Sequence, residues 1–198
     1  MTRQDLLDQL DRYFARHPDE AEMVGRIRDL LKRHERAFYR DCVPGHITSS
    51  AWIVSRESRS VLLTHHRKLE RWLQLGGHTD GEMDVLASAL REAEEESGLQ
   101  DFSPIPSREA APPFEILDVD VHLIPARGDE PAHEHHDIRF LLEVSEDQQI
   151  EHQVAESKEI RWFPGEGIEA QFDEESLARM ARKAKDWLSR SPAGPGSR

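Results

Sequence analysis

Hydrophobic positions recur at helical spacing near both ends of the chain and at strand spacing between them. Residues 2–16 carry apolar side chains on one stripe, which predicts an amphipathic first helix. A second helix is predicted to begin at Pro18, because proline suits a first helical turn, and its apolar stripe extends to Phe38. A last helix, capped by Asp173, is predicted from the stripe that Leu177, Met180, Ala184, Trp187 and Leu188 form.

Between these helices the apolar period becomes that of β-strands. Apolar runs separated by turn residues predict six strands, over residues 47–54, 60–64, 72–75, 114–124, 138–144 and 159–163. The intervening segments are predicted to be an irregular stretch at 103–113 and a polar loop at 125–133. Residues 191–198 are rich in Pro, Gly and Ser, which predicts a disordered tail.

Residues 72–99 combine a strand, a glycine turn, a loop and an acidic helix. Gly76 and Gly77 are expected to let the backbone come close to a ligand. Asp84 is a natural N-cap for the helix, whose apolar residues then recur at helical spacing. Gly98 is expected to close the helix in the left-handed conformation. This stretch is therefore the predicted centre of the molecule.

Three glutamates on this helix, Glu92, Glu95 and Glu96, are spaced so that their carboxylates converge on one face. Their mutual repulsion destabilises the helix unless a cation gathers them, and hard oxygen ligands suit Mg²⁺ or Mn²⁺. The alternative is an acidic face that is only solvated, as most charge runs are. The glycine turn upstream and Arg91 beside the cluster favour the metal site.

With these residues, the stretch resembles the box of the Nudix hydrolase family, G-x5-E-x7-R-E-U-x-E-E-x-G-U, where U is aliphatic. The residues in register are Gly77, Arg91, Glu92, Ala93, Glu95, Glu96, Gly98 and Leu99. The box places its first glutamate at residue 83, which here is Met83, while Glu82 stands one place early. We expect Glu82 to swing in and pair with Arg91, because a thioether cannot pair with a guanidinium.

The resemblance implies an α/β fold, a Nudix-type α/β/α sandwich with the box helix and the terminal helix on opposite faces of a mixed sheet. The predicted organisation is an N-terminal helical extension over residues 1–44, a Nudix domain over 45–190 and the tail over 191–198. The implied activity is divalent-metal-dependent hydrolysis of a phosphoanhydride, in a nucleoside diphosphate linked to another moiety or a related phosphorylated metabolite.

The resemblance also implies the site residues. The implied metal ligands are the Gly76 carbonyl and the side chains of Glu92, Glu95 and Glu96. Those glutamates are also the implied catalytic residues, with Arg91 bracing the box loop and Glu156 or Glu159 as a later carboxylate that could act as base. The candidate substrate contacts are His66, Arg67, His78 and His135.

Histidines are gathered at His133, His135 and His136, and this spacing has two interpretations. A zinc site would need the ligands to be fixed on rigid elements, and no cysteine is near. The preferred interpretation is a mobile loop at the mouth of the site, which contacts substrate phosphate when protonated.

Composition limits the partners. The net charge of −13 disfavours a nucleic-acid backbone or an anionic membrane, but not a small phosphorylated substrate bound through cations. The single cysteine, Cys42, excludes an internal disulfide and indicates a reducing cytoplasm. No apolar run is long enough to span a membrane. The two N-terminal stripes must be buried by the domain itself or by a second subunit, and a homodimer is the expected outcome.

Two other functions stay open. A Nudix fold can sense a nucleotide without cleaving it, but the presence of all three box-helix glutamates disfavours this alternative. A diphosphate isomerase of the isopentenyl type shares the architecture, but that chemistry uses an active-site cysteine. No cysteine lies near Gly76 or His78.

Overall fold

Eight β-strands form one mixed sheet in the described part of the chain, residues 1–106, 114–151, 157–172 and 174–190 of this computed structural model. The strands are β1 (Gly45–Ser55), β2 (Val61–His66), β3 (Arg71–Leu73), β4 (Leu75–His78), β5 (Ser103–Pro104), β6 (Asp118–Ile124), β7 (His133–Val144) and β8 (Ser157–Phe163). The four α-helices are α1 (Arg3–Arg16), α2 (Ala21–Arg33), α3 (Val85–Ser97) and α4 (Glu175–Arg190). Short 3₁₀ turns cover Pro18–Glu20 and Ile168–Ala170.

Strand β1 is the axis of the sheet. It pairs in parallel with β7 along its whole length, from Gly45 opposite Glu134 to Ser55 opposite Val144. Its other edge is shared, because β4 pairs with the first half of β1 and β2 with the second half, both antiparallel. Strands β3 and β8 add to β2, while β5 and β6 add to β7. The first half of β1 therefore lies between β4 and β7, where the candidate site is built.

The two faces of the sheet carry different helices, because alternate residues of a strand point to opposite faces. Ile47, Ala51 and Ile53 pack into a core shared with α1, α2 and α3. Trp52 and Val54 pack into a second core with α4. This arrangement confirms the predicted α/β/α sandwich. None of the described helices is both long and apolar enough to cross a membrane.

The N-terminal helices bury their stripes within this chain. Leu6 and Leu10 of α1 and Ile27 and Leu31 of α2 are fully buried, in the same core as Val119 and the other residues on the α3 side of the sheet. Of the two alternatives that the sequence left open, the chain's own domain covers these helices. A second subunit is not required to bury them.

Several predicted boundaries were wrong. The strand predicted at 72–75 is two strands, because β3 pairs with β2 and β4 pairs with β1, so the chain changes partner at Gln74. The second helix ends at Arg33, because His34 has an extended backbone. The strand predicted at 138–144 begins at His133, which pairs with Ile124 of β6, and the one predicted at 114–124 begins at Asp118. The predictions for Asp173, Glu156, the tail and residues 107–113 lie outside the described residues.

Candidate functional site

Helix α3 holds the three glutamates, and both of its ends are fixed as the sequence predicts. The Asp84 carboxylate accepts a hydrogen bond from the Ala87 backbone N–H at 3.1 Å, which caps the first turn. Gly98 ends the helix with a φ of 74°, the left-handed conformation that glycine adopts without a steric penalty. Helical spacing then aligns Glu92, Glu95 and Glu96, which we call the carboxylate face.

The glycine pair brings the backbone close to other parts of the protein rather than leaving space beside it. A Cβ at Gly76 would overlap Ser50 of β1. The φ of Gly76 is 153°, a conformation that disfavours any residue other than glycine at this position. A Cβ at Gly77 would overlap the Glu92 carboxylate. The Glu92 side chain, only 13% exposed, is therefore held directly against the backbone of β4. A side chain at residue 77 would displace the Glu92 carboxylate from this position.

Arg91 ties the helix to strand β4. Its guanidinium lies 2.8 Å from the Glu92 carboxylate and 3.2 Å from the Glu95 carboxylate. The other terminal nitrogen donates to the His78 backbone carbonyl at 2.8 Å. Burial acts to lower the pKa of Arg91, but the two glutamates outweigh this effect and raise it above its ordinary value. Arg91 is therefore a permanent cation that links the carboxylate face to the end of β4.

The carboxylate face has the donor set of a divalent-cation site. Three carboxylates lie along one side of α3, and the Arg91 guanidinium lies within 3.2 Å of two of them. Glu96 is 9% exposed, whereas the Glu95 side chain is 52% exposed. Oxygen ligands of this kind suit Mg²⁺ or Mn²⁺. The residues present therefore fit the cation that the sequence predicts.

Glu82 does not replace the glutamate that the box expects at residue 83. Its carboxylate accepts a hydrogen bond from the Asp84 backbone N–H at 2.7 Å, so it helps to cap α3. Arg91 already has three acceptors, none of which is Glu82. Met83 is 42% exposed. The expected Glu82–Arg91 pair is wrong, because Glu82 is close enough in sequence to bind the helix backbone instead.

Three predicted residues lie at the end of β2 and on β8, on the same side of β1 as β4. Glu159 is exposed on β8, 3.6 Å from the Arg161 guanidinium, and β8 pairs with β2, which pairs with the second half of β1. His66 accepts the backbone N–H groups of Lys68 and Leu69 through its Nδ1, which closes the turn after β2. Arg67 is exposed in that turn. The carboxylate face lies beside the first half of β1, because α3 packs against β1 and β4.

His78 and His135 are brought together, along with His46, a residue that the sequence analysis missed. The segment from His133 onward is a strand and not a mobile loop, because His133 pairs with β6 and the residues from Glu134 onward pair with β1. The signal for His46 was present in β1, where His46, Thr48 and Ser50 alternate with residues that face the α3 core. Alternating polar residues on a fully buried strand indicate a buried polar face, whose groups need hydrogen-bond partners on neighbouring strands.

A buried polar network lies next to these histidines on the α4 side of the sheet. Asp137 accepts from the Ser50 hydroxyl at 2.7 Å and from Arg139 Nε at 2.8 Å. Arg139, 2% exposed, also pairs with Asp118 and Asp120 of β6. Burial acts to raise the pKa of Asp118, but the Arg139 guanidinium and its neighbours outweigh burial and hold the pKa below its ordinary value. No sequence pattern indicated this network, since it joins residues that are distant in the chain.

Comparison with known families gives one match. The family model for the NUDIX domain matches residues 45–187. This span begins with β1, ends within α4 and includes the carboxylate face. No curated protein matches the chain.

Solved structures share the fold at low sequence identity. A NUDIX-family hydrolase from Clostridium perfringens is 24% identical, with a TM-score of 0.56, and the match covers 72% of this chain and 97% of that one. An Ap4A hydrolase from C. elegans is 16% identical, with a TM-score of 0.54 and the same coverage. The E. coli dihydroneopterin triphosphate pyrophosphohydrolase is 14% identical, with a TM-score of 0.50, over 72% of this chain and 95% of that one. At these identities the likeness establishes the fold alone.

Proposed function

The chain belongs to the Nudix family and is a pyrophosphohydrolase, and we propose that it cleaves a phosphoanhydride with the help of Mg²⁺ or Mn²⁺. The proposed substrate is a nucleoside diphosphate linked to another moiety, or a related small phosphorylated metabolite. One observation carries the proposal. The Glu92 carboxylate is fixed between Gly77 and Arg91, beside Glu96 on the same face of α3.

The proposed roles follow from the position of each group. The cation ligands are the Gly76 carbonyl, Glu92, Glu95 and Glu96, and Arg91 keeps α3 in register with β4. A bound cation would screen the negative charge of the substrate's phosphate oxygens, which otherwise repels a nucleophile.

Substrate contacts are a separate part of the proposal. Arg67 is exposed in the turn after β2, and with His66 it could contact a phosphate that extends beyond the carboxylate face. We assign Glu159 no role, because its carboxylate lies beside Arg161 on β8. A reducing cytoplasm is the proposed location, on the evidence of the single cysteine. Homodimerisation is not part of the proposal, since α1 and α2 are covered within the chain.

The test is a phosphate-release screen over a panel of phosphoanhydride compounds, with Mg²⁺, with Mn²⁺ and with neither. The panel includes Ap4A and dihydroneopterin triphosphate, the compounds for which two structural relatives are named. We expect metal-dependent turnover of at least one compound. We also expect Glu96→Gln to lower that turnover at least about 100-fold, which corresponds to about 2.7 kcal/mol of transition-state stabilisation.

The matched control is Glu94→Gln. Glu94 lies on the same helix, but helical spacing directs it away from the carboxylate face, so this variant should retain turnover. Equal losses in Glu94→Gln and Glu96→Gln, with both variants folded, would contradict the metal assignment. Binding of a panel compound without turnover under any metal condition would favour the nucleotide-sensing alternative. The isomerase alternative gains no support, because Cys42 lies before β1 and burial raises the pKa of its thiol.

A further inference from the structure

Histidines from three strands meet at one end of the sheet, on the face opposite α3. His46 of β1 lies directly opposite His135 of β7, and His78 of β4 lies opposite Thr48, two residues further along β1. Paired residues of neighbouring strands point to the same face, and so do residues two apart on one strand. The three imidazoles are therefore brought together by backbone pairing and not by a flexible loop.

The spacing of these rings matches the donors of a metal site. One ring nitrogen from each of His46, His78 and His135 can be chosen so that all three lie within 4.8 Å of one another. The ring centroids are 4.8 to 5.2 Å apart. In a tetrahedral zinc site, Zn–N distances of about 2.0–2.1 Å place the nitrogens about 3.4 Å apart. Small side-chain rotations therefore suffice to close the three nitrogens around an ion.

Burial makes the cluster hard to explain without a ligand. His46 is 1% exposed, and within the described part of the chain neither of its ring nitrogens has a hydrogen-bond partner of good geometry. An imidazole buried in this way loses its hydrogen bonds to water, so a native structure normally supplies a partner.

His133 adjoins these rings, with its ring centroid 5.0 Å from that of His46 and 5.2 Å from that of His135. Its Nδ1 is 2.9 Å from the Pro131 carbonyl and its Nε2 is 3.3 Å from His135 Nε2. A ring that donates from Nδ1 to a carbonyl presents the lone pair of Nε2, which is the usual orientation of a histidine bound to zinc. The tautomer follows here from the carbonyl partner.

Charges around the rings are mixed. The Arg40 guanidinium lies 3.2 Å from His78 Nδ1, which opposes a cation, but it also pairs with Asp80 at 3.0 Å. The Glu130 carboxylate is 3.9 Å from His133 Nε2. The carboxylates of Asp80 and Glu130 thus offset the positive charge of Arg40 near the rings.

We propose that His46, His78 and His135, with His133 as the fourth ligand, bind a divalent transition metal of the zinc class at a site distinct from the carboxylate face. A ligand set made only of imidazoles prefers Zn²⁺ and its neighbours over Mg²⁺, which prefers oxygen. His78 is on the same strand as Gly76 and Gly77, and its carbonyl accepts from Arg91. The ion would therefore pin the end of β4, which positions the carboxylate face.

The experiment measures bound metal in the full-length protein, after removal of metal by a chelator and dialysis against Zn²⁺. We expect one tightly bound zinc in the wild type, and the same zinc in the double variant Glu92→Gln/Glu96→Gln, which disables the carboxylate face. In His78→Gln and His135→Ala, zinc affinity should fall at least about 10–100-fold. Cobalt substitution should give the visible absorption of a tetrahedral ion, and this absorption should be lost in both histidine variants.

The control for losing one imidazole is His34→Ala, at the end of α2, which should keep the zinc. Circular dichroism would identify a variant that fails to fold, and His78→Gln is the milder change because His78 is only half-buried. Three results would overturn the proposal: no tight zinc in the wild type, zinc retained by both folded histidine variants, or zinc lost only when the glutamates are changed. Metal content does not depend on turnover. The zinc measurement can therefore be interpreted even if the proposed hydrolase function is wrong.

Discussion

At the scale of single residues, the centre of the molecule is the contact between Gly77 and Glu92. A side chain at residue 77 would occupy the position of the Glu92 carboxylate, so the absence of a Cβ allows the carboxylate to reach the backbone of β4. Arg91 then fixes this arrangement through the His78 carbonyl. The glycine and the glutamate, far apart in the box, are thus in direct contact.

The first prediction concerns Arg91 and Glu82. Arg91→Lys should lower kcat/KM about 10–100-fold, because one ammonium cannot replace a guanidinium that serves several acceptors, and charged hydrogen bonds contribute about 1.5–3 kcal/mol. Glu82→Gln should have little effect, since its side-chain oxygen can still accept from Asp84 N–H. The two losses should be additive in a double-mutant cycle, within about 0.5 kcal/mol.

Steady-state kinetics on the substrate that the screen identifies would measure this cycle. Arg190→Lys is the control for the chemical change, because Arg190 pairs with Asp186 on the exposed side of α4. A coupling energy above about 1 kcal/mol would show that Glu82 contacts Arg91 in the working enzyme after all.

At the scale of elements, helices α1 and α2 extend the layer that α3 forms on one face of the sheet. Their apolar stripes belong to the same core as Val85 and Ala89 of α3. The N-terminal segment therefore supports the sheet that holds the site, although it lies outside the span that the family model matches.

The second prediction tests this packing. Leu10→Ala should lower the free energy of unfolding by about 2–5 kcal/mol, the cost of a cavity at a fully buried leucine. Leu7→Ala is the matched control, because Leu7 lies on the same helix but is only half-buried, and its loss should be smaller. Urea unfolding followed by circular dichroism measures both. Equal, small losses would mean that α1 contributes little to the core in solution.

At the scale of the whole molecule, the two faces of the sheet carry different polar chemistry. The acidic α3 lies on one face, while the other face buries a network in which Asp118 and Asp120 meet Arg139 and Arg179. Removal of one member of such a network leaves an uncompensated buried charge. The stability of the molecule should therefore depend on the ionisation of these carboxyl groups.

The third prediction is a loss of stability in acid. Burial acts to raise the pKa of Asp120, but His122 and the arginines hold it below the ordinary value of 3.8, and Asp118 is shifted in the same direction. Below about pH 4 the unfolded chain takes up these protons before the folded one does. The free energy of unfolding should therefore keep its neutral-pH value above about pH 4 and should fall as the pH drops below 4.

Urea unfolding at several pH values would measure this dependence. Asp120→Asn should lower stability at pH 7 by about 3 kcal/mol and should reduce the acid-dependent loss. Asp186→Asn, on an exposed ion pair of α4, is the control and should change neither quantity much. If the free energy of unfolding of Asp120→Asn fell in acid as much as that of the wild type, other carboxyl groups would be responsible for the loss.

The sequence by itself determined the box helix and the class of fold. Asp84, Gly98 and the spacing of Glu92, Glu95 and Glu96 act within one helix, so local rules were sufficient to place them. The alternation of apolar runs also identified most strands, although their ends were misplaced where pairing with a distant strand extended them.

Which distant residues meet depends on the packing of the folded chain. The parallel pairing of β1 with β7 brings His46 opposite His135 and Thr48 opposite Asp137, across about ninety positions of sequence. No local rule fixes that register, because it depends on how two strands and their covering helices pack together. For the same reason, the assembly of the histidines could be seen only in the folded chain. A strand pattern shows that a polar face exists, and the packed sheet determines what that face contains.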